Sequence, residues 1–148
     1  MPFAAERIRV KRIYEKPARG DGTRVLVDRL WPRGVSKSAA QLHAWLRELA
    51  PSDSLRQWFH ARPETWLTFR KRYLKELVRP EAADALHELY RLARRPRKLT
   101  LLFSSRDEQH NNAVVLKDLL EGMRKPPTGT GPGAVRAMRE RQAKRMPR

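Results

Sequence analysis

Residues 23–28 read Thr-Arg-Val-Leu-Val-Asp, a compact β-branched and aliphatic run closed by a carboxylate. Apolar residues that follow one another, rather than alternating with polar ones, suit a strand covered on both faces, as in a parallel sheet. Residues 99–104, Leu-Thr-Leu-Leu-Phe-Ser, repeat the pattern. These two segments are the expected central strands. The long stretch between them has helical spacing, and a crossover of that length suits parallel strands better than a hairpin.

Outward from this pair, residues 7–14 (RIRVKRIY) alternate charged residues with Ile8, Val10 and later Ile13, which predicts a half-wet strand at a sheet edge. The turn KPARGDG follows at 16–22. Helices are predicted from the apolar spacing. Ser38 to Leu49 sets Leu42, Trp45, Leu46 and Leu49 on one face, with Ser36 or Ser38 as cap. Ser52 caps a short helix carrying Leu55, Trp58 and Phe59. Glu64 to Val78 aligns Trp66, Phe69, Tyr73 and Leu77, and Glu81 to Arg94 turns Ala82, Ala85, Leu86, Leu89 and Ala93 inward. Asp107 caps a last helix to about Met123, with Ala113, Leu116, Leu119 and Leu120 inward. The expected fold is α/β: a small, mostly parallel sheet of about three strands flanked by about five helices, three-layer-like.

The chain has 148 residues, with 33 Lys+Arg against 16 Asp+Glu and a net charge of +17. Such a charge speaks to partners more than to fold. Residues 124–148 hold eight of the basic residues and one acid, so +7 belongs there and +10 to residues 1–123. Their Pro/Gly/Thr opening and sparse apolar residues predict a basic tail on a single domain spanning 1–123. Four Trp, three Tyr and four Phe exclude a wholly disordered chain. The absence of cysteine excludes a disulfide framework, a thiolate zinc site and a Cys nucleophile. The first residues contain no apolar signal region, and no run of about 18 apolar residues occurs, so a cytoplasmic protein without membrane contact is expected.

Ligands of open parallel sheets bind outside the carboxyl ends of the strands. Two segments occupy that place here. In Asp28–Gly34, Arg29 and Arg33 can clamp an anion, with Asp28 as orienting group or base and Trp31 as a wall. The plainer reading is an Asp28–Arg ion pair pinning the loop, with Trp31 packed. In Ser104–Asn112, the Ser104 and Ser105 hydroxyls, Asp107, His110 and Asn111 surround a helix N-terminus, and His110 is a candidate general acid or base. Here the plainer reading is capping by Asp107. The Trp66, Phe69 and Tyr73 stripe, extended by Glu76, can wall a pocket with Tyr73 and Glu76 as polar tips, but core packing is the plainer reading of the rings. Glu76 on that face needs a partner, for which Arg29 or Arg33 is expected. His43, His60 and His87 are scattered, so neither a metal site nor a cofactor is expected.

The basic residues Arg91, Arg94, Arg95, Arg97 and Lys98, joined with Arg70, Lys71, Arg72, Lys75 and residues 124–148, form a possible phosphate-backbone footprint. No reader-helix spacing, zinc knuckle or aromatic RNA-binding signature accompanies them, so only non-specific nucleic-acid binding is in view. The plainer reading is a solvated cationic helix end.

The segments VLVDRLWPRGVSK (25–37), APS (50–52), W..F...Y..EL (66–77) and LTLLFSSRDEQHNNAVVL (99–116) carry a resemblance to the YeaO-like family of small bacterial proteins. It covers about residues 7–121. The resemblance implies a compact α/β protein and brings no reaction, substrate or cofactor with it. Arg106 stands where members often carry Lys, and 110–113 reads HNNA where they carry HNHA. The Asn112 departure weakens any scheme that needs a second His there.

The leading expectation is a polar pocket for an anionic small molecule, performing acid/base or hydrolytic/transfer chemistry if any. Its candidate catalytic residues are His110, Asp28 and Asp107, and its binding residues Arg29, Arg33, Trp31, Ser104, Ser105, Asn111, Tyr73 and Glu76. The rival is a nucleic-acid-associated protein acting through its charge. Convergence of the two loops on one open cavity favours the pocket, and mutual saturation of their side chains counts against it.

Overall fold

The computed structural model of the chain describes residues 7–123. The expected basic tail at 124–148 lies outside them. Four strands form one sheet in the order β1-β4-β2-β3: β1 (Ile8–Arg12), β2 (Thr23–Leu26), β3 (Ala44–Trp45) and β4 (Leu99–Phe103). All three pairings are parallel, with Ile8 opposite Leu99, Thr23 opposite Leu99 and Val25 opposite Ala44. The central strands are β4 and β2, as their continuous apolar runs predict. Five α-helices accompany them among the described residues: α1 (Lys37–Ala40), α2 (Asp53–Ala61), α3 (Trp66–Leu77), α4 (Pro80–Arg94) and α5 (Asn112–Met123). The architecture is α/β, with one strand more than expected.

Alternate residues of the central strands serve opposite faces. Val25, Val27, Leu99, Leu101 and Phe103 join Phe69, Tyr73, Leu89 and Leu116 in the main core, while Leu26 and Leu102 meet Ile13, Ala40, Trp31 and Trp45 on the other face. The extra strand replaces most of the helix expected from Ser38 to Leu49. Gln41 adopts the left-handed conformation with φ 49° and ends α1 after one turn. Arg24 of β2 donates from Nε and Nη2 to Ala40 O at 3.0 and 2.8 Å. His43 N and Leu46 N then donate to Arg24 O and Leu26 O. The open edge of β2 carries backbone groups that need partners, and satisfying them outweighs the local helical periodicity.

Asp107 does not cap the last helix. Its Oδ1 accepts from Gln109 N and His110 N at 3.0 and 3.1 Å, closing a separate turn. The cap of α5 is Asn111, whose Oδ1 accepts from Val114 N at 3.0 Å.

The crossover from β1 to β2 is held by buried Asp21, which accepts from Ala18 N, from Lys11 Nζ at 3.0 Å and from Arg24 Nη1 at 2.6 Å. Burial pushes its carboxyl up, but the bonds from Ala18, Lys11 and Arg24 outweigh this and hold it below the usual carboxylate range. Gly22 follows at φ 66°, and a Cβ there would stand 2.3 Å from Lys98 O. Only glycine fits so close to the start of β4.

Candidate functional site

Asp28 follows β2 and Ser104 follows β4, and because those strands pair directly the two loops meet at the carboxyl edge of the sheet. Asp28 Oδ2 accepts from Ser104 N and Ser104 Oγ, both at 2.8 Å. Asp28 Oδ1 accepts from Asn112 Nδ2 at 3.2 Å, and the same amide donates to Val27 O at 2.9 Å. Asn112 is 9% exposed, so it fastens the start of α5 to the end of β2. Its role was not legible as a site feature. Only the pairing of β2 with β4 brings residue 112 to residue 28.

Neither expected arginine pairs with Asp28 or Glu76. Glu76 Oε1 accepts from Ser52 N at 2.8 Å and Oε2 from Ser52 Oγ at 2.6 Å. Ser52 thereby ties α2, which it also caps through Leu55 N, to the end of α3. Tyr73 is fully buried and donates to Leu49 O. Burial, then the charges of Asp28 and Glu76, push its hydroxyl well above the ordinary tyrosine range, against the pull of Arg29. Arg29 donates from Nη2 to Ala50 O at 3.2 Å, while its buried Nε has no partner. Asp28, Arg29 and Glu76 therefore all lie close enough to Tyr73 for their charges to act on it, and both carboxylates are already engaged by neutral donors.

The other candidates lie in different contacts. Trp31 donates to Val35 O at 2.6 Å and meets Trp45 edge-on at 5.3 Å. Arg33 is exposed, and its carbonyl accepts from Tyr14 Oη at 3.1 Å. Ser105 Oγ accepts from Asp107 N, and Asn111 is occupied as the helix cap. His110 Nδ1 stands 3.2 Å from Asp107 Oδ2 on an open turn, with its ring 5.0 Å from that of Trp66. Burial raises the Asp107 carboxyl, yet bonds from Gln109 N and His110 hold it below its usual range.

Two depressions among the described residues lie near these candidates. One of about 420 Å³, between α2 and α3, is lined by Ser54, Leu55, Trp58, Arg72, Lys75, Glu76 and Arg79. The other, about 300 Å³, is lined by Trp31, Lys37, Leu42, His43, Ala44 and Trp45. The first takes in Glu76 of the expected pocket with Arg72 and Lys75 of the expected phosphate footprint, and the second takes in Trp31. In the first, the Arg72 guanidinium lies 4.4 Å over the Trp58 ring. Arg72, Lys75 and Arg79 have no ion-pair partner among the described residues. Trp58 and Arg79 were missed as site residues, although Arg72, Lys75 and Arg79 recur at positions that one side of a helix and its exit turn share.

Part of the expected phosphate footprint is internally paired. Arg91 donates to Glu88, and Arg70 lies 3.7 Å from Asp118. No helix among the described residues is long and apolar enough to cross a membrane.

The chain is 42% identical over 118 residues to "Uncharacterized protein YeaO" of Escherichia coli K12, covering 78% of this chain and 98% of that protein. It is 40% identical over 116 residues to "Uncharacterized protein Mb3100c" of Mycobacterium bovis and to "Uncharacterized protein Rv3073c" of Mycobacterium tuberculosis, each covering 78% of this chain and 95% of the relative. No solved structure matches it. The family described as the "Inactive DUF488-N3 subclade" matches residues 7–129, a span that includes both strand-end loops and the α2–α3 groove. The sheet, the DRLWPRG loop and the HNNA turn thus lie in one continuous match, and the chain belongs to that family, together with YeaO.

Proposed function

We propose that this protein is a non-catalytic binding protein for an anionic small molecule, which it holds in the groove between α2 and α3. The observation that carries this reading is that Arg72, Lys75 and Arg79, without an ion-pair partner among the described residues, line one depression of about 420 Å³. Ligand pockets of roughly 300–1,000 Å³ are usual for small molecules. Glu76, an expected binding residue, lines the groove, but both its oxygens accept from Ser52, which draws its charge towards the helix cap. Trp58 holds the Arg72 guanidinium in place, so less side-chain freedom is lost when an anion arrives.

The acid/base role expected of Asp28 is not part of this reading. Both oxygens of that carboxylate already accept from the fold's own groups, a backbone N–H, a hydroxyl and a side-chain amide, which tie it between β2, β4 and α5. His110 and Asp107 sit on an exposed turn that excludes no water. The family's description as inactive points the same way.

Thermal unfolding in citrate and in orthophosphate tests the proposal. A ligand at a hundredfold excess over its Kd stabilises the native state by about 2.7 kcal/mol. Such salts also stabilise folded proteins by exclusion from their surface, so the reference is the Arg72→Gln/Lys75→Gln double variant. The wild type should gain more than the variant with at least one of the two anions. Equal gains with both would overturn the proposal.

A further inference from the structure

We infer that the ligand of the α2–α3 groove is a linear oligophosphate, two or three phosphoryl groups joined in a chain. This rests on the reading of that groove as an anion site. Its cations are carried at successive positions along α3 and its exit rather than by separate elements. Arg72 and Lys75 are one turn apart on α3, a rise of about 4.5 Å, and Arg79 stands beyond the helix end at the entry to α4. A single tetrahedral anion satisfies neighbouring members of such a row and leaves the far one unpaired. A chain of phosphates presents successive charges along its length. The guanidinium forks of Arg72 and Arg79 suit phosphate oxygens bidentately, and Lys75 between them supplies a compact charge.

The other linings agree in kind. Three cations against one engaged carboxylate call for a ligand with more than one negative charge, which a simple monocarboxylate lacks. Ser54, exposed beside the capping Ser52, adds a hydroxyl donor on the opposite wall. Arg72 covers one face of Trp58 at 4.4 Å, so a nucleobase cannot stack on that face without displacing the guanidinium. The phosphate chain is therefore the recognised part, whether free or attached to a nucleoside.

Isothermal titration of the full chain at fixed ionic strength compares tripolyphosphate, pyrophosphate, ADP and orthophosphate. Tripolyphosphate should bind at least about tenfold more tightly than orthophosphate, and Arg79→Gln should remove most of that advantage while leaving orthophosphate binding nearly unchanged. Arg94→Gln/Arg97→Gln, which adds no change to the groove, should leave all affinities as they were. Pyrophosphate and ADP share the diphosphate: equal affinities assign the inorganic chain and tighter ADP a nucleoside source, and both support the inference. Orthophosphate and tripolyphosphate binding equally well would overturn it while leaving the groove an anion site. No binding of any of the four would overturn the inference, and the groove reading would then rest on the citrate result alone. An equal loss in the Arg94/Arg97 variant would overturn it in favour of diffuse polyanion attraction.

Discussion

Replacing Asn112 by Asp exchanges an amide for a carboxylate of the same shape and turns a donor into an acceptor against two acceptors. The wild-type Nδ2 donates to Val27 O at 2.9 Å and to Asp28 Oδ1 at 3.2 Å. Two hydrogen bonds contribute about 0.5–1.5 kcal/mol each, and a buried carbonyl left without a donor costs about 1–3 kcal/mol. Repulsion from Asp28 adds to this, though water entering the edge reduces it. The expected loss is about 3–5 kcal/mol, a large part of the roughly 5–15 kcal/mol that holds a domain together. The new carboxyl is pushed up by burial and by Asp28, so its folded pKa lies above its unfolded value of about 3.9. A group of that kind binds protons more tightly when folded, so the deficit should shrink as the pH falls from 7.5 to 5. Urea unfolding followed by tryptophan fluorescence reads both quantities. A variant within about 0.5 kcal/mol of wild type at pH 7.5, with unchanged m, would refute the role given to Asn112. Ser104→Ala, which leaves the Ser104 N–H bond to Asp28 intact, should cost only about 1 kcal/mol.

Asp21→Asn should destabilise by about 3–5 kcal/mol in urea titrations, because Arg24, 5% exposed, loses its counter-charge. Since Asp21 is held below its ordinary 3.8, its contribution is complete above that value and is lost as the pH falls through the folded pKa. The wild-type stability curve should therefore drop more steeply below pH 4 than that of the variant. Gly22→Ala should cost more than about 2 kcal/mol in thermal unfolding, since its Cβ would meet Lys98 O at 2.3 Å; an unaffected melting temperature would contradict the close approach of that turn to β4. Tyr73, raised well above its ordinary range by burial, should contribute the last component of the alkaline phenolate absorbance, appearing only as the fold opens, and Tyr73→Phe should delete that component.

Much of the fold follows from short-range pattern. The apolar runs at 23–28 and 99–104 identify the central parallel strands, because a strand buried on both faces has no polar alternation to display. Trp66, Phe69, Tyr73 and Leu77 mark the inner face of α3, and Ser52 is readable as the cap of α2. Residues 38–49 show the limit. Leu42, Trp45, Leu46 and Leu49 have helical spacing, yet Ala44 and Trp45 pair with β2. Local periodicity contains no record of an open strand edge elsewhere in the chain.

The site divides in the same way. The residue types at the strand ends and the excess of arginine are properties of the sequence, as is the YeaO-like resemblance carried by DRLWPRG and HNNA. Which carboxylate meets which donor is not. Asp28 lies 76 residues from Ser104 and 84 from Asn112, and Glu76 lies 24 from Ser52. An isolated Asp-Arg dipeptide favours an ion pair, but Asp28 is held by neutral donors because strand pairing delivers them at bonding distance at no further cost in chain entropy. Tertiary structure alone decided that Asp28 and Glu76 would be internally satisfied, and that Arg72, Lys75 and Arg79 would line a groove with Trp58 without an ion-pair partner among the described residues. The physical reason is that charge belongs to the residue, whereas its availability to a ligand depends on which neighbours the fold has already placed against it.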